Sequence, residues 1–72
     1  MDKRAIGLYA MQVWQMLVNN DRWSYKDLKM KSGLKDQELS AALGWLARED
    51  KILIEQENDE CYVLLGVNVY IG

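Results

Sequence analysis

The chain has 72 residues, half of them hydrophobic, with a formal net charge of −2, one cysteine and no histidine. A lone cysteine excludes a disulfide within the chain, and the lack of histidine removes the commonest ligand of zinc sites. One domain spanning residues 1–72 is expected, and so small a core favours stabilisation by a partner chain rather than by any cofactor.

Charge is distributed unevenly along the chain. Residues 1–36 hold seven Lys or Arg against four acids, whereas residues 37–72 hold two against seven. The balance is therefore +3 in the first half and −5 in the second. A free-standing DNA-binding domain normally presents net positive charge on its binding face, so this pattern disfavours nucleic acid as the partner.

Residues 1–18 carry basic side chains followed by an apolar run, the general layout of a signal peptide. Gln12 and Gln15 interrupt that run, and residues 19–21 (NND) follow where a small-residue cleavage site would be needed. The run is also too short to span a bilayer. We therefore expect a soluble cytoplasmic protein that does not contact a membrane.

The first predicted helix covers residues 3–19. One apolar stripe at helical spacing is made of Ile6, Ala10, Val13 and Leu17. A second apolar line extends it around the helix and consists of Gly7, Met11, Trp14 and Val18. A helix that is apolar over most of its circumference is buried on more than one side. One side is expected to face the domain core and the other to face a second subunit.

Residues 24–50 read as two helices joined by a turn, after a very short strand at residues 22–23. Ser24 is predicted to cap the second helix by accepting a hydrogen bond from the amide of Asp27. Gly33 stands where the end of a helix favours a residue with left-handed backbone. Leu34 follows and is expected to be the apolar residue that anchors the turn.

The third predicted helix runs from Asp36 to Glu49. Its core face is made of Leu39, Leu43 and Leu46. At 100° per residue, the opposite face consists of Gln37, Ala41, Gly44 and Arg48, with Trp45 and Glu38 along one edge. In a helix-turn-helix protein this outward face is the one that would meet a binding partner.

A hairpin is predicted from strands at residues 52–57 and 61–65. Asn58 and Asp59 suit a two-residue turn because both residue types tolerate positive φ. The register that this turn imposes pairs Glu57 with Glu60 and gives one inward apolar face, made of Ile52, Ile54, Cys61, Val63 and Leu65. A further strand is expected at residues 67–71, with Val67, Val69 and Ile71 on one face.

This order of elements predicts an α+β fold, a winged helix-turn-helix with three helices and a C-terminal β-hairpin wing. Residues 42–52 (ALGWLAREDKI), followed by an acidic hairpin, resemble a small bacterial winged-helix family of unknown function. The resemblance extends from Gly7 to Tyr62 and implies a fold without an assigned activity. Two residues depart from the family pattern: Lys35 replaces the usual Ser or Thr cap, and Asp50 replaces the usual glycine.

An enzyme is not indicated by these residues. The chain has no histidine, no glycine-rich phosphate loop and no carboxylate pair in a pocket-like context. Cys61 alternates inward with apolar neighbours and is expected to serve as a small hydrophobic residue. No catalytic, cofactor-binding or metal-binding residue is therefore predicted.

The favoured function is a non-catalytic module that acts through protein–protein interaction, as a homodimer and with a role in regulation. This hypothesis accounts for the unusually apolar first helix and for the small residues on the outward face of the third. The predicted interface residues are Gly7, Met11, Trp14, Val18, Ala41, Gly44, Trp45, Val67 and Val69.

The alternative function is a DNA-binding transcription regulator that uses the third helix and the wing. Its candidate DNA contacts are Lys26, Lys29, Lys31, Lys35, Gln37, Ser40 and Arg48. Acids oppose this alternative, because Glu38 is expected on the groove-facing edge of the third helix and the wing tip carries Glu57, Asp59 and Glu60.

Overall fold

A computed structural model describes residues 1–66 of the chain. Its helices and strands follow the predicted order: α1 Lys3–Asn19, β1 Arg22–Ser24, α2 Tyr25–Ser32, α3 Asp36–Arg48, β2 Ile52–Glu57 and β3 Glu60–Leu65. This arrangement confirms the α+β winged helix-turn-helix. The strand expected at residues 67–71, with Val67 and Val69, lies outside the described residues.

Local sequence signals set the ends of the helices. Ser24 Oγ accepts a hydrogen bond from the Asp27 amide at 3.1 Å, as predicted for the start of α2. Gly33 ends that helix in the left-handed region at φ 74°, where only glycine carries no steric cost. Leu34 then turns into the core and is buried.

The third helix begins without a side-chain acceptor at its cap residue. Lys35 is an ammonium and cannot accept a hydrogen bond, so the cap relies on its own amide, which donates to Glu38 Oε1 at 2.9 Å. The helix ends at Arg48, one residue earlier than predicted. Asp50 then takes up φ 59°, the left-handed conformation that is easier for the glycine usual at this position.

The sheet is antiparallel, with strand order β1-β3-β2. The hairpin has the predicted register, from Glu57 opposite Glu60 to Ile52 opposite Leu65. Its turn residues, Asn58 and Asp59, have φ values of 51° and 65°, which matches the twist that a tight hairpin requires. The first strand pairs with β3 on the other side, where Trp23 lies opposite Val63.

The core lies between the helices and the inner face of the sheet. It is formed by small and branched apolar side chains: Ala10, Val13, Leu17, Leu28, Leu34, Leu39, Ala42, Leu43, Leu46, Ile52 and Val63. Each fully buried aliphatic side chain contributes about 1.5–3 kcal/mol of transfer free energy. The predicted core face of the third helix is confirmed. On the first helix Ala10, Val13 and Leu17 are buried as predicted, whereas Ile6 is only half-buried.

Ile54 lies on the predicted face of the sheet but is not buried there. Its side chain is 48% exposed, whereas Ile52 in the same strand is 4% exposed. Ile54 lies opposite the buried Val63, so it is on the expected face of the sheet. However, β2 is an edge strand and the helical layer covers only its first residue. Cys61, also assigned to the inner face, is half-buried and carries a free thiol.

Candidate functional site

A groove of about 320 Å³ runs between α1 and α3, and we call it the α1–α3 groove. The first helix contributes Gly7, Ala10, Met11 and Trp14 to its lining. The remainder comes from α3 and the loop after it: Trp45, Leu46, Glu49 and Lys51. Four residues that the sequence placed in a protein interface therefore line one depression: Gly7, Met11, Trp14 and Trp45.

A glycine, Gly7, stands at one wall of the groove. A Cβ added to Gly7 would have no neighbouring heavy atom within 4 Å. Gly7 is therefore not needed for packing within the domain, although glycine inside a helix costs about 1 kcal/mol relative to alanine. The buried side chains of Ala10 and Leu46 form the floor.

The rim of the groove is apolar and accessible. Met11 is 58% exposed and Trp45 is 37% exposed, while Trp14 is half-buried. Large apolar side chains are often exposed singly, but a contiguous set beside a depression is typical of an interaction surface. Tryptophan is also among the residues that dominate binding energy at interfaces.

One ion pair lies at the end of the groove. Lys51 Nζ lies 3.6 Å from Glu49 Oε1 and 5.6 Å from the centre of the Trp14 ring. The pair is solvent-exposed and contributes little to stability. However, the opposite charges of Lys51 and Glu49 offset each other beside the groove. An apolar partner that covered them would therefore not bury a single unpaired charge.

Three other predicted interface residues, Val18, Ala41 and Gly44, do not line this groove, and Val67 and Val69 lie outside the described residues. Val18 is 59% exposed on α1. Gly44 is exposed and Ala41 is half-buried on α3. Sequence reasoning missed Glu49 and Lys51, because the helix end and the following loop carried no interface signal. It assigned Ala10 and Leu46 to the core, and both are buried there beneath the groove.

The outward face of α3 is accessible, as its spacing predicted. Gln37, Gly44 and Arg48 are exposed along it, whereas Ala41 is half-buried. Ser40, a candidate DNA contact beside this face, is also exposed. Among the lysines suggested as DNA contacts, Lys26, Lys31 and Lys35 are exposed. Lys29 is instead half-buried, and its Nζ lies 3.4 Å from Asp36 Oδ2.

The expectation that Glu38 edges the groove-facing side of α3 requires correction. Its Oε2 accepts a hydrogen bond from the Tyr9 hydroxyl at 3.1 Å, and its Oε1 accepts from the Lys35 amide. The Lys35 amide, and then Tyr9, hold the pKa of the Glu38 carboxyl below its usual range. The carboxylate is thus turned towards α1 and its charge is engaged within the fold.

Asp36, the other acid at the start of α3, is engaged in a similar way. The Tyr25 hydroxyl donates to Asp36 Oδ1 at 2.8 Å, and Lys29 approaches the second oxygen. These partners lower the pKa of the Asp36 carboxyl. Burial and the bond to Asp36 raise the pKa of Tyr25. Both acids at this helix end therefore serve to join elements of the domain.

The wing tip remains acidic. Glu55, Glu57, Asp59 and Glu60 are all exposed. Arg22 partly offsets them, because its Nη2 lies 3.4 Å from Glu57 Oε1 and its guanidinium lies 3.8 Å from the centre of the Tyr62 ring. The wing therefore presents more acid than base to a partner.

No helix among residues 1–66 is long and apolar enough to cross a membrane. The same described residues contain no group of three or more His, Cys, Asp or Glu side chains placed to hold a metal ion.

These features define the chain as a winged helix-turn-helix domain. Residues 1–65 match the family described as winged helix-turn-helix domain, DUF2582, and the chain belongs to that family. No functionally curated protein matches the sequence.

Two solved structures support the same fold. The solution NMR structure of protein BT2368 from Bacteroides thetaiotaomicron is 37% identical, with a TM-score of 0.81 over 90% of this chain and 79% of that one. HlyU from Vibrio cholerae is 25% identical, with a TM-score of 0.72 over 96% of this chain and 85% of that one. The chain is thus similar over most of its length to two bacterial winged-helix proteins.

Proposed function

We propose that this domain is a non-catalytic interaction module that assembles as a homodimer through the α1–α3 groove and the adjoining face of α3. The observation that carries the proposal is the accessible apolar rim of the groove, with Met11 58% and Trp45 37% exposed. A domain with so small a core gains stability when a second copy covers such a surface.

The exposed side of α1 supports a helix as the contacting element. Leu8, Met11 and Val18 are 60%, 58% and 59% exposed, and they follow one another at helical spacing. Such a stripe suits a facing helix, and a second copy supplies an identical one. In a two-fold dimer the same patch serves both partners, which requires a self-complementary surface.

Small residues on α3 support close approach of a partner. A Cβ added to Gly44 would meet nothing within 4 Å, so the space above it is free. Ala41 lies one turn earlier and leaves a similarly low surface. The opposite charge balances of residues 1–36 and 37–72 would add attraction between antiparallel copies.

Sedimentation equilibrium tests the proposal directly. The average mass of the full chain is expected to rise with concentration from 8.4 kDa towards twice that value. Met11→Glu should weaken association by about tenfold or more, which corresponds to about 1.4 kcal/mol. Met30→Glu is the matched control, because Met30 is 69% exposed on α2, outside the groove lining. A chain that stays monomeric at high micromolar concentration would exclude the homodimer.

A DNA-binding regulator is the second candidate, and one observation favours it. The charge of Asp36 is partly offset by Lys29, whose Nζ lies 3.4 Å from Asp36 Oδ2, and the Glu38 carboxylate is turned towards Tyr9 of α1. Lys31, Lys35 and Arg48 remain exposed around α3. The acidic wing argues against this candidate.

Fluorescence anisotropy with a random-sequence DNA duplex tests this second function. A regulator should bind at low salt, lose affinity steeply as salt rises, and be weakened further by Arg48→Ala. Met30→Gln, a neutral change on the exposed side of α2, serves as the control. Absence of binding at low salt would exclude the DNA-binding function while leaving the homodimer untouched.

A further inference from the structure

We propose that the open edge of β2 accepts an extended, basic segment of another protein as a fourth strand of the sheet. This inference goes beyond the proposed homodimer, because it concerns the wing and not the α1–α3 groove. The partner segment carries Lys or Arg side chains opposite Glu55 and Glu57, and an apolar side chain opposite Ile54.

The first observation is that β2 has a neighbouring strand on one side. Within residues 1–66 the strand order is β1-β3-β2, so β3 pairs with one edge of β2 and the other edge is open. The pairing with β3 runs without interruption from Ile52 to Glu57. Native sheets commonly protect such an edge with a bulge, a proline or a lysine, and residues 53–57 (LIEQE) contain neither proline nor lysine. The edge is therefore a regular strand that another strand can join.

The hydrogen-bond pattern identifies the backbone groups at this edge. The Gly66 amide donates to the Lys51 carbonyl oxygen at 2.7 Å, so Lys51 bonds towards β3. Successive residues of an antiparallel strand alternate in this direction. Residues 53, 55 and 57 therefore also bond towards β3, whereas residues 52, 54 and 56 direct their N–H and C=O groups outward. Ile52 is buried, but Ile54 and Gln56 are exposed, so these two residues offer accessible backbone groups to an added strand.

The side chains of β2 define what the added strand carries. Ile54 is exposed on the inner face of the sheet, so an apolar side chain beside it would remove both from water. On the outer face Glu55 makes no ion pair with any residue from 1 to 66, and Glu57 is paired with the exposed Arg22. These two acids stand at the non-hydrogen-bonded positions of the new ladder, where side chains on neighbouring strands approach most closely. Lysine or arginine at those positions would pair with both acids.

A second copy of the chain is a poorer occupant of this edge. Antiparallel pairing of two β2 strands uses both accessible residues only when Ile54 of one copy faces Gln56 of the other, because Ile52 is buried. That register places Glu55 directly opposite its own counterpart, and like charges in this position are destabilising. The acids that repel a copy attract a basic segment, so charge decides between the two occupants.

NMR titration of the isotope-labelled full-length chain tests the inference. The probe is the acetylated and amidated peptide Lys-Val-Lys-Val-Lys, which places valines opposite Ile54 and Gln56 and lysines opposite Glu55 and Glu57. We expect saturable shifts of the β2 amides with a Kd of about 1 mM or lower. Hydrogen exchange of the Ile54 and Gln56 amides should also slow, because both donate to the added strand.

Two methylated peptides of unchanged charge separate strand pairing from simple attraction. N-methylation of both valines removes the donors directed at the β2 edge and should weaken binding by about tenfold or more. N-methylation of the two terminal lysines leaves those donors in place and should change the affinity by no more than about threefold.

Two variants of the chain test the charge pairing. Glu55→Lys should weaken binding of the unmethylated peptide by about tenfold, because attraction is replaced by repulsion across the new ladder. Glu60→Lys is the matched control: it makes the same charge change at an exposed position of the wing, but on β3 and away from the open edge. Its affinity should stay within about twofold of the parent.

Four outcomes would overturn the inference. The first is an absence of saturable binding at millimolar peptide, and the second is equal affinity for the valine-methylated peptide, which would reduce the contact to attraction between charges. An equal loss in Glu60→Lys would likewise show that the total charge of the wing decides. Shifts of the Ile54 and Gln56 amides that depend on the concentration of the chain alone would show that a second copy occupies the edge.

Discussion

The Tyr9 hydroxyl donates a hydrogen bond to the Glu38 carboxylate at 3.1 Å and thereby ties α1 to the first turn of α3. The same carboxylate closes the otherwise uncapped start of α3 by accepting from the Lys35 amide. One acid thus fixes the position of the helix that bears the outward face and one wall of the α1–α3 groove.

This relationship predicts that Glu38 stabilises the fold in a pH-dependent way. Its partners lower its pKa in the folded state, so the contribution is present above the unfolded value of about 4.3 and is lost as pH falls through the folded pKa. Glu38→Gln should therefore have a lower urea midpoint than the parent chain at pH 7, and the difference should shrink at pH 3.

Glu57→Gln is the control for that measurement, since Glu57 is an exposed wing residue paired with Arg22 across the sheet. We expect a smaller effect at pH 7, because surface ion pairs contribute little. A Glu38→Gln midpoint that matches the parent at pH 7 would show that the carboxylate does not hold α3 in place.

The packing of α3 predicts a large cost for truncating Leu43. This side chain is 6% exposed within the core, and Leu→Ala at such a site typically costs about 2–5 kcal/mol. Leu53→Ala is the matched control, because Leu53 is 47% exposed on β2 and surface changes usually stay within about 0.5 kcal/mol. Urea unfolding followed by circular dichroism measures both, and equal costs would contradict the assigned core.

The sequence predicted those parts of the structure that depend on neighbouring residues. The hairpin register followed from Asn58, Asp59 and the alternation on either side, since a two-residue turn leaves one pairing. Gly33 likewise marked the end of α2. The position of Glu38 could not be predicted in this way, because it depends on Tyr9, which is 29 residues distant along the chain.

The groove was predictable only in part. Helical spacing identified Gly7, Met11 and Trp14 as a second apolar line on α1. The sequence did not show that Trp45 would complete the same depression, because that depends on how two helices cross. It also gave no sign of Lys51, whose place at the groove follows from the loop after α3.

Gly33 and Asp50 both have left-handed backbone conformations. Replacing the glycine and introducing a glycine should therefore change the stability of the domain in opposite directions. Asp50 has φ 59° and Gly33 has φ 74°. Left-handed backbone costs an ordinary residue roughly 1–2 kcal/mol, so Gly33→Ala should destabilise the domain by about 1 kcal/mol. Asp50→Gly should raise stability by up to about 1 kcal/mol, since the relief of strain is partly offset by the entropy of glycine.

Thermal unfolding of the two variants beside the parent chain measures this contrast. A shift of 1 kcal/mol corresponds to roughly 4–8 °C in Tm for a domain of this size. Asp50→Ala separates backbone strain from side-chain effects, because alanine keeps the left-handed cost and should not stabilise. A stabilising alanine would show that the Asp50 side chain, rather than its backbone, limits stability.

Ile52 and Ile54 both lie in the edge strand β2, but substitution by lysine should affect their contributions to stability differently. Ile54 is 48% exposed and Ile52 is 4% exposed. Ile54→Lys should therefore change the unfolding free energy by no more than about 0.5 kcal/mol, and a lysine at an open edge should also reduce edge-to-edge aggregation. Ile52→Lys would bury an unpaired ammonium and should prevent stable folding.

Circular dichroism, urea unfolding and light scattering at matched concentrations compare the two variants. A large loss of unfolding free energy in Ile54→Lys would mean that the Ile54 side chain is covered in solution.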